Sequence, residues 1–108
     1  MPAQVRIYTI NRGEMEAFLK HFEANVIPLH ERVGWPIVAS WVNTEQNEFI
    51  WIRTHVDAQD LEAKTKAFQE QRAALGIELG QRVAKMEIRE VVPAFVAVPS
   101  VLLEEPQA

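Results

Sequence analysis

The stretch that decides the fold is Glu48-Phe49-Ile50-Trp51-Ile52-Arg53-Thr54-His55. Side chains of a β-strand alternate between the two faces of a sheet. One face of this predicted strand carries Phe49, Trp51, Arg53 and His55, and the other carries Glu48, Ile50, Ile52 and Thr54. Ile50 and Ile52 are typical of a core-facing row, whereas Arg53 and His55 need polar partners if they are buried. We therefore expect a small-molecule site on the aromatic row, where a cation and an imidazole accompany Trp51.

Strands and helices alternate on both sides of this stretch. Before it, the pattern predicts a strand over residues 4–10, a helix from about residue 14 and a strand over residues 36–42, with a polar hairpin connection at residues 43–47. Pro28 should kink or end the first helix, and Gly34 should terminate it. After it, Asp57 is typical of the N-cap of a helix that runs to about Leu75. A short helical piece through Val83 and a strand over residues 86–92 complete the pattern.

This order, strand-helix-strand-strand-helix-strand, is the ferredoxin-like α+β pattern, with the helices on one face of the sheet. Large apolar side chains fall on both faces, so we expect a second subunit to cover the open face and form a homodimer. Residues 91–103 carry no charge and would be an aggregation hazard if exposed. We therefore expect a single domain over residues 1–108, with a core at residues 4–92 and an apolar C-terminal arm at residues 93–103 that docks on the partner.

Composition excludes several classes of function. The net charge of -4 and the lack of a basic run argue against nucleic-acid binding. The chain has no cysteine, which excludes disulfides, thiolate metal sites and cysteine nucleophiles. Its three histidines form no i, i+4 pair, so no metal site is expected. With neither a signal peptide nor an apolar run of about 20 residues, we expect a soluble cytoplasmic protein without membrane contact.

Three short motifs occur in succession along the chain. They are Val5-Arg6-Ile7-Tyr8-Thr9-Ile10 followed by Gly13, then Ile27-Pro28-Leu29-His30-Glu31, then Trp41 followed by Asn47-Glu48-Phe49 and Trp51. In this order, over residues 5–92, the chain resembles the NIPSNAP family. The resemblance implies a dimeric α+β barrel, in which two ferredoxin-like sheets pack face to face. Relatives in that superfamily include monooxygenases, haem-degrading enzymes, isomerases, decarboxylases and cyclases, many of which need no cofactor, so the likeness bears on fold more than on reaction.

Four residues are candidates for catalysis. His30 and His55 can exchange a proton near neutral pH, and Arg53 can stabilise a developing oxyanion. Tyr8 shares a face of the first strand with Arg6, and together they would suit a carboxylate or an enolate-like oxygen. His30 could equally cap the end of the kinked helix, and Tyr8 could be a packed side chain.

Further residues are candidates for substrate contact: Arg6, Phe49, Trp41, Trp51 and Arg72. For Arg6 we favour a structural interpretation, an ion pair across strands with Glu48, Glu87 or Glu90. Trp41 and Trp51 are more often core or interface anchors than pocket walls. Arg72 lies on the inner stripe of the second helix, where it could reach a ligand or extend its charge to solvent.

Our first hypothesis is a small cofactor-independent enzyme that holds an apolar or aromatic metabolite between sheet and helices, against Trp41 and Trp51. Monooxygenation, isomerisation, cyclisation and decarboxylation fit equally well. The alternative is a non-catalytic dimer that binds a ligand or another protein. Haem, with His30 or His55 as axial ligand, is a third hypothesis that the resemblance suggests.

Overall fold

A four-stranded sheet with helices on one side makes up residues 1–95, the part of the chain that the computed structural model describes. The elements are β1 (Ala3–Ile10), α1 (Met15–His21), a π-helical turn (Phe22–Val26), α2 (Ile27–Arg32), β2 (Ile37–Asn43), β3 (Glu48–Thr54), α3 (Ala58–Leu75) and β4 (Val83–Val91). The strand order is β2-β3-β1-β4, and each pairing is antiparallel. This is the predicted ferredoxin-like α+β fold. The predicted C-terminal arm lies outside the described residues from position 96 onward.

The central strand β1 sets which residues meet across the sheet. Its helix-facing residues Gln4, Arg6 and Tyr8 lie opposite Arg53, Trp51 and Phe49 of β3, and opposite Glu90, Ile88 and Met86 of β4. Strand alternation therefore gathers an aromatic row and a polar row on the same side, under the helices.

The two rows of side chains on β3 face the opposite way from the sequence prediction. Trp51 and Arg53 are 2% and 4% exposed beneath the helices, whereas Ile50 and Ile52 are only half-buried on the open face. The prediction that the isoleucines face this core is wrong, because the helices cover the aromatic row and Arg53 finds polar partners there. Ile50 pairs with Trp41 of β2 on the open face, where Trp41 is 47% exposed.

Pro28 neither ends nor breaks the first helical segment, which passes through a π turn into α2 and ends before Gly34 (φ 74°). The N–H of Ile27 bonds to the carbonyl of Phe22, five residues back, and Pro28 then occupies the first turn of α2. A residue of an α-helix turns by about 100°, so the extra residue of the π turn rotates the residues of α2 by about that angle. His30 lies on α2 and is fully buried.

The second helix has its predicted limits. Asp57 accepts a hydrogen bond from the Asp60 N–H at 2.8 Å, and Gly76 closes α3 with φ 67°. The predicted helical piece beyond Gly76 is wrong: residues 77–80 are irregular, residues 81–82 form a turn, and β4 begins already at Val83. Ile77 and Leu79 in this segment pack against the core instead. No helix within residues 1–95 combines the length and the apolar character needed to cross a membrane.

Candidate functional site

A connected network of polar side chains lies under the helices, at the end of the sheet where β1, β3 and β4 meet. Arg53 is its centre. Its Nε donates to Gln4 Oε1 at 2.9 Å, and its Nη1 donates to His30 Nε2 at 2.8 Å. Three of the four buried polar residues in the described part of the chain, Gln4, His30 and Arg53, are therefore linked by direct hydrogen bonds.

The two ring nitrogens of His30 are both occupied. Nδ1 lies 2.8 Å from the carbonyl of Val26, which can only accept, so Nδ1 carries the proton. Nε2 faces Arg53, which can only donate, so Nε2 is the acceptor of a neutral imidazole. Burial lowers the pKa of His30 to about 4, and the Arg53 charge adds to the decrease against the opposing hydrogen bond to Val26. His30 therefore orients Arg53 and has no free nitrogen with which to exchange a proton with a ligand.

Arg53 is held between aromatic rings. Its guanidinium carbon lies 3.7 Å from the ring centre of Trp35 and 4.9 Å from that of Trp51. Trp35 is fixed in turn, because its Nε1 donates to the carbonyl of Thr54 at 2.9 Å. Burial, followed by the charge of Arg6, lowers the pKa of Arg53 to about 9, so the group still carries its charge at neutral pH.

Arg6 lies beside this centre and is half-buried. Its Nη1 donates to Gln4 Oε1 at 3.1 Å, its Nε donates to the Tyr8 hydroxyl at 3.0 Å, and its Nη2 lies 3.3 Å from the Met86 sulfur. The favoured interpretation, an ion pair of Arg6 with a glutamate on a neighbouring strand, is not what the structure shows. Arg6 and Arg53 share the oxygen of Gln4, which places two cations on one amide.

His55 is buried, not exposed at the strand end. It is 5% exposed, and its Nε2 lies 3.9 Å from a Glu90 carboxylate oxygen. Its Nδ1 has no hydrogen-bond partner among residues 1–95. Glu90 also accepts from Gln4 Nε2 at 2.9 Å, so His55 joins the end of the same network. Of the two histidines predicted to move a proton, His55 is the one with an unpartnered ring nitrogen among the described residues, and that nitrogen is buried.

The other residues predicted to contact a substrate lie in different parts of the molecule. Phe49 and Trp51 lie in a closed aromatic cluster with Phe18 and Phe22, and Trp51 packs edge-on against Tyr8 at 5.8 Å between ring centres. Trp41 lies on the opposite face of the sheet, so the structure does not bring it together with Trp51. A ligand held between sheet and helices against both tryptophans does not match this arrangement.

Arg72 does not join the network either. Its Nε donates to Gln69 at 2.8 Å and its Nη1 donates to the Ile77 carbonyl at 3.3 Å, so it closes the C-terminal end of α3. A hollow of about 260 Å³ lies near this end, between α2 and the segment after α3, lined in part by Pro28, Leu29 and Leu75. None of the network residues borders it.

Three residues of the site were missing from the sequence prediction: Gln4, Trp35 and Glu90. Gln4 could have been found, because it alternates with Arg6 and Tyr8 on the same face of β1. Glu90 was considered only as an ion-pair partner. Trp35 gave no periodic signal, since it comes directly after Gly34 in a connection between α2 and β2.

Metal ligands are not grouped in the described part of the chain. Within residues 1–95, no set of three or more His, Cys, Asp or Glu side chains could hold a metal ion. His30 offers no free ring nitrogen to a haem iron, since both nitrogens are bonded. The network thus combines two cations with the buried imidazole of His55.

The fold and this site define a ferredoxin-like α+β protein with a polar network beneath its helices. The NIPSNAP family model matches residues 3–94, and the chain belongs to the NIPSNAP family. None of the curated proteins matches the chain.

Solved structures share the fold at low sequence identity. A NIPSNAP domain protein from Burkholderia xenovorans is 16% identical with a TM-score of 0.81, covering 92% of this chain and 100% of its own. A dimeric ferredoxin-like protein from an uncultured marine organism is 16% identical with a TM-score of 0.64, covering 90% and 92%. A Nitrosomonas europaea protein, proposed to be an antibiotic biosynthesis monooxygenase, is 11% identical with a TM-score of 0.61, covering 88% and 100%. At these identities the likeness shows the fold alone.

Proposed function

We propose that this protein is a small enzyme of the dimeric α+β barrel type that acts, without a cofactor, on an apolar or aromatic metabolite. The observation that supports this is the set of buried polar residues Gln4, His30, Arg53 and His55, joined by the half-buried Arg6, beside a core that is otherwise aromatic and aliphatic. Burying charged and polar groups costs stability, and groups with strongly shifted pKa values cluster at functional sites. The Nitrosomonas europaea neighbour makes monooxygenation one of the reactions to test.

The geometry suggests a role for each residue. Arg6 would stabilise an enolate-like oxyanion, aided by the Tyr8 hydroxyl, and the buried Arg53 would add the field of its charge from beneath, because both cations are already held in place. His55 would accept or return a proton, with Glu90 near its other nitrogen to orient the ring. His30 would keep Arg53 in position. Monooxygenation, isomerisation, cyclisation and decarboxylation can each pass through such an oxyanion, so the reaction class stays open.

The assembly we propose is a homodimer formed through the open face. Val5, Ile7, Ile50 and Ile52 lie there half-buried beside the exposed Trp41, and no helix of the described residues covers them. An apolar patch of this kind is typical of an interface. The ferredoxin-like structural neighbour that is itself dimeric is consistent with this assembly. Residues 93–103 would add an apolar arm to the interface, and the cytoplasm remains our expectation for its location.

The test begins with native mass spectrometry of gently purified protein, which reports the oligomeric state and any small molecule carried through purification. That molecule is then incubated with the wild type, with His55→Gln and with the matched control His21→Gln, and its conversion is monitored by mass. We expect turnover by the wild type and by His21→Gln, and a loss of about 100-fold or more in His55→Gln. Equal turnover by both variants would remove His55 from the mechanism.

A second function, a non-catalytic dimer, is favoured by one observation. Trp51 and Arg53 are almost completely buried, and the hollow on the surface lies away from them. In that case the polar network would fix how the helices pack on the sheet and would bind no substrate. A ligand-free dimer, together with no conversion of any aromatic or enolisable compound in a screened panel, would favour this function over the enzyme.

A further inference from the structure

The two arginines of the network have no carboxylate as a direct partner among the described residues. Among residues 1–95, the ion pairs within 4.0 Å include neither Arg6 nor Arg53. Both guanidinium groups donate to the single oxygen of Gln4. Two like charges that share one neutral acceptor repel each other, and burial strengthens the repulsion. An anion that bound beside them would relieve it.

Glu90 does not neutralise the pair directly. Its Oε1 accepts from Gln4 Nε2, and its side chain is 52% exposed. This contact orients the Gln4 amide, because the nitrogen is taken by Glu90 and the oxygen must face the arginines. The amide therefore separates the carboxylate of Glu90 from the two cations.

Arg6 is the cation that a ligand can reach. Arg53 is 4% exposed, with its guanidinium lying over Trp35, whereas Arg6 is half-buried. Within residues 1–95, Arg6 Nη2 has a single hydrogen-bond partner, the Met86 sulfur, which is a weak acceptor. A carboxylate would accept a much stronger, charge-assisted bond from the same group.

Apolar side chains flank this cation. Ile88 pairs with Arg6 and Met86 pairs with Tyr8, so both lie on the same side of the sheet as the Arg6 side chain. They are 42% and 40% exposed. We infer that the site takes a small apolar or aromatic monocarboxylate, with its carboxylate on Arg6 and its apolar body along β4 over Met86 and Ile88. This inference rests on the proposed function, whose substrate class it names.

The charges nearby select for a single negative charge. A monocarboxylate can bond to the Arg6 fork while its body points away from Glu90. A phosphate dianion would bring a second charge into the field of the Glu90 carboxylate, which repels it. The floor beneath Arg6 is aromatic, with the Trp51 ring centre 5.4 Å from the guanidinium carbon, and it offers no second cation to a larger anion.

The experiment titrates the full-length protein with benzoate and with benzamide, its neutral counterpart of the same shape, by isothermal calorimetry. We expect saturable benzoate binding that is about tenfold or more tighter than benzamide binding, since a charge-assisted bond is worth at least about 1.4 kcal/mol more. Arg6→Gln should weaken benzoate binding about tenfold. Arg12→Gln, which makes the same change at an exposed position outside the network, should leave it unchanged.

Three results would overturn the inference: no saturable benzoate binding by the wild type, equal binding of benzoate and benzamide, or the same loss in Arg12→Gln as in Arg6→Gln. If Arg6→Gln does not fold by circular dichroism, Arg6→Lys replaces it, because lysine keeps the charge but lacks the planar fork and should also weaken binding. Benzoate binding without turnover of any compound would keep this inference and remove the enzyme. If the protein instead converts a neutral substrate, and Arg6→Gln converts it at the same rate, the enzyme would stand and the monocarboxylate site would not.

Discussion

The two faces of the sheet are built from alternate residues of the same strands, yet they hold opposite kinds of side chain. The face under the helices buries Gln4 and Arg53, whereas the open face leaves Ile50, Ile52 and Trp41 partly exposed. Polar groups are tolerated under the helices because they satisfy one another. The difference teaches that the covered face is decided by where the helices pack and by whether polar groups find partners, and not by hydrophobicity alone.

The largest effect is expected on the covered face, from His30→Ala. The change removes a fully buried ring and leaves the Val26 carbonyl and Arg53 Nη1 without their partner. We expect the free energy of unfolding to fall by about 3–5 kcal/mol, measured by urea denaturation with tryptophan fluorescence. His21→Ala, at a half-buried position whose ring bonds to the Glu78 carbonyl and to Asn25, should cost less, about 1–2 kcal/mol. Equal losses would contradict the role given to His30, and the loss of stability makes His30→Ala unsuitable as a test of catalysis.

The next effect is the dependence of stability on pH. The pKa of His30 is about 4 in the folded protein against 6.5 ordinarily, so the folded state favours the neutral ring. Its contribution to stability is complete above pH 6.5 and is lost as the pH falls from there towards 4, by up to about 1.4 kcal/mol per pH unit. Asp60, whose pKa is lowered by its bond to Lys64, loses its contribution only below its ordinary value of 3.8.

Urea unfolding of the wild type and of His30→Gln across this pH range checks the prediction. The amide of glutamine does not titrate, so the decrease between pH 6.5 and 4 should be smaller in the variant. An identical decrease in both proteins would assign the pH dependence to other groups.

On the open face, Trp41→Ala should act on assembly. A large aromatic residue at an interface is a typical hot spot, so we expect the dimer dissociation constant to rise about 30-fold, or about 2 kcal/mol, in analytical ultracentrifugation. Val42→Ala is the matched control, since Val42 is 44% exposed, adjacent in sequence and on the other face. A wild type that is monomeric, or a larger effect of Val42→Ala, would contradict an interface on this face.

The smallest effect is expected from Tyr8→Phe. The Arg6 Nε loses the hydroxyl that it bonds to, but Arg6 is half-buried and water can replace the bond. The free energy of unfolding should change by less than about 1 kcal/mol in urea denaturation. Thr9→Val serves as the comparison on the opposite face. A loss above about 2 kcal/mol for Tyr8→Phe would show that its hydroxyl supports the whole network.

Much of the fold was predictable because its signals are local. Asp57 and Gly76 mark the limits of α3, and the order of strands and helices gave the ferredoxin-like class. The phase of the first helical segment was not predictable, since the π turn before Pro28 adds a residue that the periodic pattern does not show. The complete burial of His30 on α2 was therefore not predicted.

Most residues of the candidate site could be predicted from the sequence, but the hydrogen bonds between them could not. Arg6, Tyr8, Arg53 and His55 were identified as residues of interest, but their partners were not. Arg53 bonds to Gln4, which is 49 positions away, and Gln4 bonds to Glu90, which is 86 positions away. Pairings over such separations depend on strand register and helix packing, which no single stretch of sequence contains.

The sequence by itself determined the order of strands and helices, the limits of α3 and the split of the strands into two chemically different rows, because alternation and capping act over a few residues. Only the tertiary structure decided which row the helices cover, that His30 serves Arg53, and that Arg6 is the cation left within reach. Those outcomes depend on which distant groups can satisfy one another once they are buried together.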